Sequence, residues 1–572
     1  MITGNDILAT RAPLLDDVVR GSVDFNGVPS RRSKSGCWKS ASFVIGVEVA
    51  ERFAYYGISS NMISYLTGPL GQSTAAAAEN VNAYNGTAML LPLLGAFMAD
   101  SFLGRYRTII IASLLYVLGL AFLSLSALLR SHDSSNCKSN TYNSTCSPSL
   151  LEVIVFFFSL YLVAFAQAGH RPCVQAFGAD QFDEEDEHES KAKISLFNWW
   201  YFSVNGGVFV AFLVLNYIQE NMSWELGFGI PCIAMCFALI VFLIGSMTYR
   251  FSVNSDKRNP FVRISSVFVE AMRNRKAASS IVGSIKEEVQ PVLPHEHAKL
   301  EFLDKAILST IASGENGNLC RMKDIDDAKA ILRMVPIWSA CLGYAIIFAQ
   351  ASTLFIKQGA TMDRSIVGNF QIPSASLHCV ISLSIMVYIP IYDRVLVPIA
   401  SSITKKPTGI SMLQRIGTGL FLSFLSMVIA ALVEKRRLSI AIQYGLVDLP
   451  KATIPMSVWW LVPQYLLYGI ADVFTMVGLQ EFFYDQIPGE LKSIGLALYL
   501  SIFGIGNFFS SFLISIIEKV TSANGRDSWF SNNLNRAHLD YFYWLLVGLS
   551  VVSTGIYLYF AKSYIYNRNY KI

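Results

Sequence analysis

Twelve apolar stretches long enough to cross a bilayer divide this chain, and nothing else in it constrains the fold as strongly. They lie at about 42–66, 84–100, 107–129, 150–177, 195–218, 226–248, 330–356, 370–391, 410–433, 459–484, 492–518 and 538–563. A helix of about 20 apolar residues crosses the hydrocarbon core with its backbone polar groups paired internally. The expected fold class is an all-α polytopic membrane protein. Composition agrees: 53% of the 572 residues are hydrophobic and 15% charged, against about a quarter charged in a soluble chain. A net charge of +4, with basic residues scattered among loops, gives no nucleic-acid signature.

The stretches form two sets of six around a long polar connector. The expected organisation is a tail at 1–40, a six-helix bundle at 41–248, a connector at 249–328 with amphipathic helices such as 295–311, a second bundle at 329–565 and a short tail at 566–572. An even number of spans puts both tails on one side. Arg31, Arg32, Lys34, Arg394, Lys405, Lys406, Arg415 and Lys492 make that side cytoplasmic. Lys435, Arg436 and Arg437 fall on the opposite side and run against the rule. The loop at 130–148 is expected outside, where Cys137 and Cys146 can form a disulfide and the sequon at Asn143 can be glycosylated. Sequons at Asn85 and Asn221 lie near expected helix ends. Cys232, Cys236 and Cys341 sit in apolar runs and read as core fillers. The first 40 residues contain no apolar core of a cleavable signal, and Leu14 and Leu15 are a weak sorting motif.

Three ionisable residues stand inside the first apolar stretch. Glu48 and Arg52 are four apart and Glu48 and Glu51 three apart, so a helix presents all three on one side. That side cannot face lipid; charges at membrane depth face a protein interior or aqueous cavity, and mark ion or substrate paths. One Arg cannot neutralise two ionised carboxylates, which leaves one of them a candidate proton carrier. The competing reading is a purely structural ion network.

With these motifs in view, the sequence resembles the major facilitator superfamily, and within it the proton-coupled oligopeptide transporter family in its plant nitrate/peptide branch, nearest the fifth subfamily. The residues that carry the resemblance are Glu48 xx Glu51 Arg52 Phe53 xx Tyr56 Gly57, Gly95 xxxx Asp100 xxx Gly104 Arg105, Phe177 to Phe182 and Glu481 to Tyr484. It implies 12 transmembrane helices in two bundles with a cavity between them. It also implies a proton-coupled symporter of a small anionic or organic solute, such as nitrate, a peptide, a hormone or another metabolite, and not an enzyme. A weakly coupled facilitator or exporter, and a transceptor whose connector recruits regulatory partners, are the alternatives.

The resemblance also assigns residues. Glu48, Glu51, Arg52 and Arg171 would couple protons, Arg171 standing where relatives typically have Lys. Arg keeps the charge in a planar fork that does not readily lose its proton. Asp472 matches an acidic site where many relatives have Glu. Phe348 falls where one branch has a nitrate-binding His, so that mode of nitrate binding is not expected. Tyr55, Tyr56, Tyr84, Gln350, Tyr388, Trp459, Gln464 and Gln480 complete the candidate substrate set, and Asp100, Gly104, Arg105, Arg107, Asp180 and Asp183 the candidate gating set. The proton is the expected coupling ion, with no cofactor or metal. A monomer in lipid, in the plasma or vacuolar membrane, is the expected setting.

Overall fold

A computed structural model of the chain describes residues 17–140, 148–183, 186–252, 260–274, 302–303, 322–367, 370–405, 410–450, 452–487, 492–523 and 527–564. Strands β1 (Val18–Val23) and β2 (Pro29–Arg31) form an antiparallel hairpin, and β3 (Phe251–Ser252), from beyond the first bundle, pairs with the free edge of β1. The segment expected to be a plain tail is thus folded from residue 17 onward. Its anchor is Arg250, fully buried, which donates to Glu189 at 2.6 Å and to the carbonyls of Ser35 and Gln181 at 2.7 and 3.2 Å. Gly36 turns the chain into the first helix over that side chain. Its φ is 79°, and a Cβ there would sit 2.1 Å from the Arg250 guanidinium, so both conformation and space require glycine. Arg32 adds an ion pair to Asp183 at 2.5 Å, which raises the already high pKa of the guanidinium.

The first bundle comprises α1 (Cys37–Ser59), α2 (Met62–Thr67), α3 (Thr74–Met98), α4 (Arg105–Asn140), α5 (Leu150–Ala179), α6 (Glu187–Val210), α7 (Asn216–Asn221) and α8 (Trp224–Gly245). In the connector α9 (Pro260–Arg273) is described. The amphipathic helix expected at 295–311 lies outside the described residues except at 302–303. The second bundle comprises α10 (Met322–Ala340), α11 (Leu342–Ala351), α12 (Leu354–Ala360), α13 (His378–Ile391), α14 (Val397–Thr404), α15 (Met412–Gln443), α16 (Val462–Asp485), α17 (Lys492–Thr521) and α18 (Leu539–Ser563). The apolar side of α9 packs Ile264, Val267 and Ala271 into one core with Ile325 and Ala328 of α10, tying the connector to the second bundle.

Among the described residues, nine helical segments are long and apolar enough to cross a membrane. A tenth counts if α10 and the α11–α12 run, bent by 51°, form one span. The expected twelve is reached only by adding α1 and α3, which are long enough but more polar. The stretch between the first two expected spans, 42–66 and 84–100, is largely helix, because Ser73 caps α3 by accepting from the Ala76 N–H at 3.2 Å and a run of alanines follows. Asn85 consequently lies inside a buried helix and not near a helix end. The span expected to end at 433 runs on as α15 to Gln443.

The bundles meet along α3 and α17, along α6 and α13, and where α2 meets α12. Their hydrogen bonds to each other gather at the end away from the N-terminal sheet. Lys357 donates to Thr67 at 2.9 Å, Arg364 pairs with Glu220 at 3.0 Å, and Ser515 donates to Glu79 at 2.6 Å.

Candidate transport cavity

Between the bundles lies a cavity of about 950 Å³. It reaches from Ser59, Ser352 and His378 near the joined end to Arg105, Asp180 and Glu481 near the end carrying the sheet. Its volume is at the upper end of the range of small-molecule sites.

On one wall α1 carries the charge cluster that its sequence spacing predicts. The Nε of Arg52 donates to Glu48 at 2.9 Å and Nη2 to the same oxygen at 2.8 Å, while Glu51 lies 3.4 Å from Nε. All three are buried, and Glu48 and Arg52 line the cavity. Glu51 lies behind them, where Gln167 of α5 donates to it at 3.1 Å and the Tyr116 hydroxyl of α4 at 3.5 Å. Glu48, Glu51 and His170 place candidate ligand atoms within 4.8 Å of one another. Arg52 already supplies a cation among them, 2.8 Å from Glu48 and 3.4 Å from Glu51.

Arg171 lines the cavity beside them. Pro172 has no N–H for the Ala168 carbonyl four residues back. Gly95 of α3 approaches that carbonyl so closely that a Cβ would sit 1.9 Å from its oxygen, so α3 packs against the opened turn. The guanidinium Nη1 donates to Met89 Sδ at 3.0 Å. Among the described residues no carboxylate lies within ion-pair distance of Arg171 in this conformation.

From the second bundle Asp472 reaches the cavity and accepts a short hydrogen bond from the Tyr344 hydroxyl. Phe348 lies near it, packed on Phe503 at 5.0 Å and on Tyr468 at 6.1 Å. Tyr55, Tyr56 and Gln480 also line the cavity.

The remaining substrate candidates lie elsewhere. Tyr84 stacks behind Tyr55 at 6.2 Å, and Gln350 donates to Ser510 at 3.1 Å between α11 and α17. Gln464 donates to Gln358 at 3.2 Å inside the second bundle, and Tyr388 packs on Phe474 at 5.7 Å. Trp459 is half exposed and precedes α16. None of these five lines the cavity, because each faces a neighbouring helix or the surface and not the seam between the bundles.

Of the gating candidates, Arg105 and Asp180 pair at 2.6 Å within the first bundle, and Asp183 pairs with Arg32. Gly104 takes φ 73° at the turn into α4, and Arg107 is exposed. The Asp100 side chain, Cys146 and Asn143 lie outside the described residues, as does the Cys137 side chain. The cross-bundle pair, Glu220 with Arg364, was not expected, because each of its members stands at the end of an element with no sequence mark of its partner. His378 and Asn507, both on the cavity wall, were also missed. A lone His or Asn in an apolar run gives no sign of which face it occupies.

The fold has counterparts among known proteins. A model of the POT family matches residues 106–530. The chain belongs to the POT family. Its similarity to the Arabidopsis thaliana protein NRT1/PTR FAMILY 5.10 is 61% identity over 547 residues, covering 96% of each chain. To NRT1/PTR FAMILY 5.14 of the same plant it is 55% identity, covering 97% of this chain and 98% of that one. Among solved structures it resembles an auto-inhibited POT family peptide transporter, with a TM-score of 0.70 and 21% identity over 93% of this chain and 98% of the other. This POT family chain is therefore a multi-pass membrane transporter of the major facilitator fold and not an enzyme.

Proposed function

We propose that the protein is a proton-coupled symporter that carries a small anionic or organic solute by alternating access. The buried Glu48–Arg52–Glu51 cluster on the cavity wall carries this reading. Such charges are costly at membrane depth, and here Glu48 and Arg52 open onto the space a solute would occupy, with Glu51 directly behind them. Asp472 stands on the second bundle, so both moving parts bear an acid. Protonation of Glu48 or Glu51 would loosen their hold on Arg52 and leave Arg52 and Arg171 as the positive wall facing an anion. The membrane potential supplies about 2.3 kcal/mol per elementary charge per 100 mV, enough for protons to carry an anion or zwitterion uphill.

The basic loops and the N-terminal sheet support placing the end of the cavity beside Arg105, Asp180 and Glu481 in the cytoplasm. The joined end, with Glu220 and Arg364, is then the closed outer gate. Reversing one charge, as in Arg364→Glu, sets like charges against each other there. The expected outcome is an outward shift of the resting equilibrium, read as at least about threefold faster labelling of a cavity cysteine from outside, which a difference of roughly 1 kcal/mol would produce. The swap Glu220→Arg with Arg364→Glu should restore the slow labelling.

Phe348, Tyr55 and Tyr56 share the wall with Arg171 and Asp472, a lining that suits an organic solute with both apolar and polar groups better than a bare inorganic anion. Inward currents in oocytes at acidic pH, over nitrate, dipeptides and plant hormones, test the whole reading. A current that grows on acidification for one class of solute is expected. Surface-expressed protein giving no current with any of them would overturn symport of these cargoes.

A further inference from the structure

His170 is a buried base that none of the roles above uses. It is fully buried on α5, next to Arg171, and neither of its ring nitrogens has a hydrogen-bond partner. A ring nitrogen belongs to the group with the Glu48 and Glu51 carboxylates, all within 4.8 Å of one another. The groups that face it are Glu48, Glu51 and Arg52 from α1, Tyr116 from α4, whose ring lies 6.5 Å away edge-on, and Gln167 on its own helix. Glu48 Oε2 and Glu51 Oε2 likewise accept no hydrogen bond, although Glu51 Oε2 keeps its ion-pair contact to Arg52 Nε at 3.4 Å. Two acids and one imidazole therefore stand together with polar atoms unused, which is costly in a buried site.

The two guanidinium groups of this cluster are permanently charged and cannot exchange protons at physiological pH. A neutral imidazole has one N–H donor and one acceptor nitrogen. Facing two ionised carboxylates it can use only the donor; facing one protonated carboxyl it can use both. One added proton thus satisfies more of these atoms than none.

We propose that His170 shares the coupling proton with Glu51. In one form the proton is on a Glu51 carboxyl oxygen, which donates to a His170 ring nitrogen. In the other the O–H bond has broken and an N–H bond has formed, leaving an imidazolium that donates to the carboxylate. The net charge of the cluster is the same in both forms, so the proton can move as the helices shift without adding a charge to the buried site. This inference rests on the proton-coupling reading for its purpose, although the sharing itself can be measured without transport.

The test is infrared difference spectroscopy of the full chain in lipid vesicles, with histidine rings isotopically labelled, titrated between about pH 5 and about pH 8. In the wild type a carboxyl band and a labelled imidazole band should change together. His170→Gln should remove that imidazole signal from the set given by seven histidines and move the carboxyl midpoint by about one pH unit, a tenfold change in proton affinity. Glu51→Gln, which keeps His170, should displace the imidazole midpoint and provides the measurement if His170→Gln does not fold. A carboxyl midpoint that is the same with and without His170, or an imidazole midpoint unmoved in Glu51→Gln, would overturn the proposal. Uptake still driven by pH in Glu51→Gln would instead overturn the coupling role of Glu51 and leave the spectroscopic result standing.

Discussion

Glu51→Gln is expected to abolish pH-driven uptake while the amount of protein in the membrane stays at the wild-type level. The substitution keeps shape and an acceptor oxygen, so the Gln167 and Tyr116 contacts to Glu51 at 3.1 and 3.5 Å can persist and the packing of α1, α4 and α5 is retained. What is lost is a titratable site and one of the two counter-charges of Arg52. Uptake at acidic external pH should fall by about tenfold or more, the effect expected when a group required for proton transfer is removed. Exchange of cargo across the membrane without a proton gradient should continue, because it needs the cavity and the bundle motion but no net proton movement. Uptake against external pH, normalised to surface protein, checks both halves. An unchanged acid response would remove Glu51 from the coupling mechanism.

The Glu48, Glu51 and Arg52 cluster stands out in sequence because charge inside an apolar run is conspicuous and helical spacing fixes its face. Asp472 stands out as a charge inside an apolar run, but as a single residue it has no spacing to fix its face. His170, Tyr116 and Gln167, which surround Glu51, are not legible as a group. They come from two other helices and share a site only after α4 and α5 have packed against α1.

The boundaries fail for a related reason. The first half of α3 reads as a polar link because of Glu79, Asn82 and Asn85. These residues bond across to the second bundle, Asn82 to Ser510 at 3.0 Å, Asn85 to Ser352 at 3.3 Å and Glu79 from Ser515 at 2.6 Å. Hydropathy scores a side chain as though its surroundings were lipid, whereas these face protein. The same holds for the N-terminal hairpin, whose anchor Arg250 lies more than two hundred residues away in the chain. The cavity wall needed one more level of information, because Phe348 and Gln350 are two residues apart on α11 yet only the first faces the seam.

Arg437→Ala, in the basic run Lys435 to Arg437 that goes against the positive-inside pattern, is expected to be among the most destabilising single changes in the chain. Arg437 is not a loop charge. It is fully buried in α15, donates to both oxygens of Glu434 at 2.6 and 2.8 Å, and reaches Asn535 at 3.0 Å, the Leu534 carbonyl at 2.8 Å and Thr361 at 3.2 Å. One guanidinium thus joins α15, the end of α12 and the segment before α18. Arg436, its neighbour, lies over the Trp460 ring at 4.5 Å, so it too is held by the protein. Removing the Arg437 head leaves Glu434 buried without a counter-charge, a loss of about 3–5 kcal/mol in comparable buried pairs. Detergent-solubilised Arg437→Ala should unfold several degrees below the wild type. Arg437→Lys should recover part of the loss, since it restores the charge but not the forked geometry. The double change Glu434→Leu with Arg437→Met should be less damaging than Arg437→Ala, because it removes both charges together and fills the space with apolar atoms. An Arg437→Ala melting point within about one degree of wild type would show that water reaches Glu434 and that the pair does not hold the helices together.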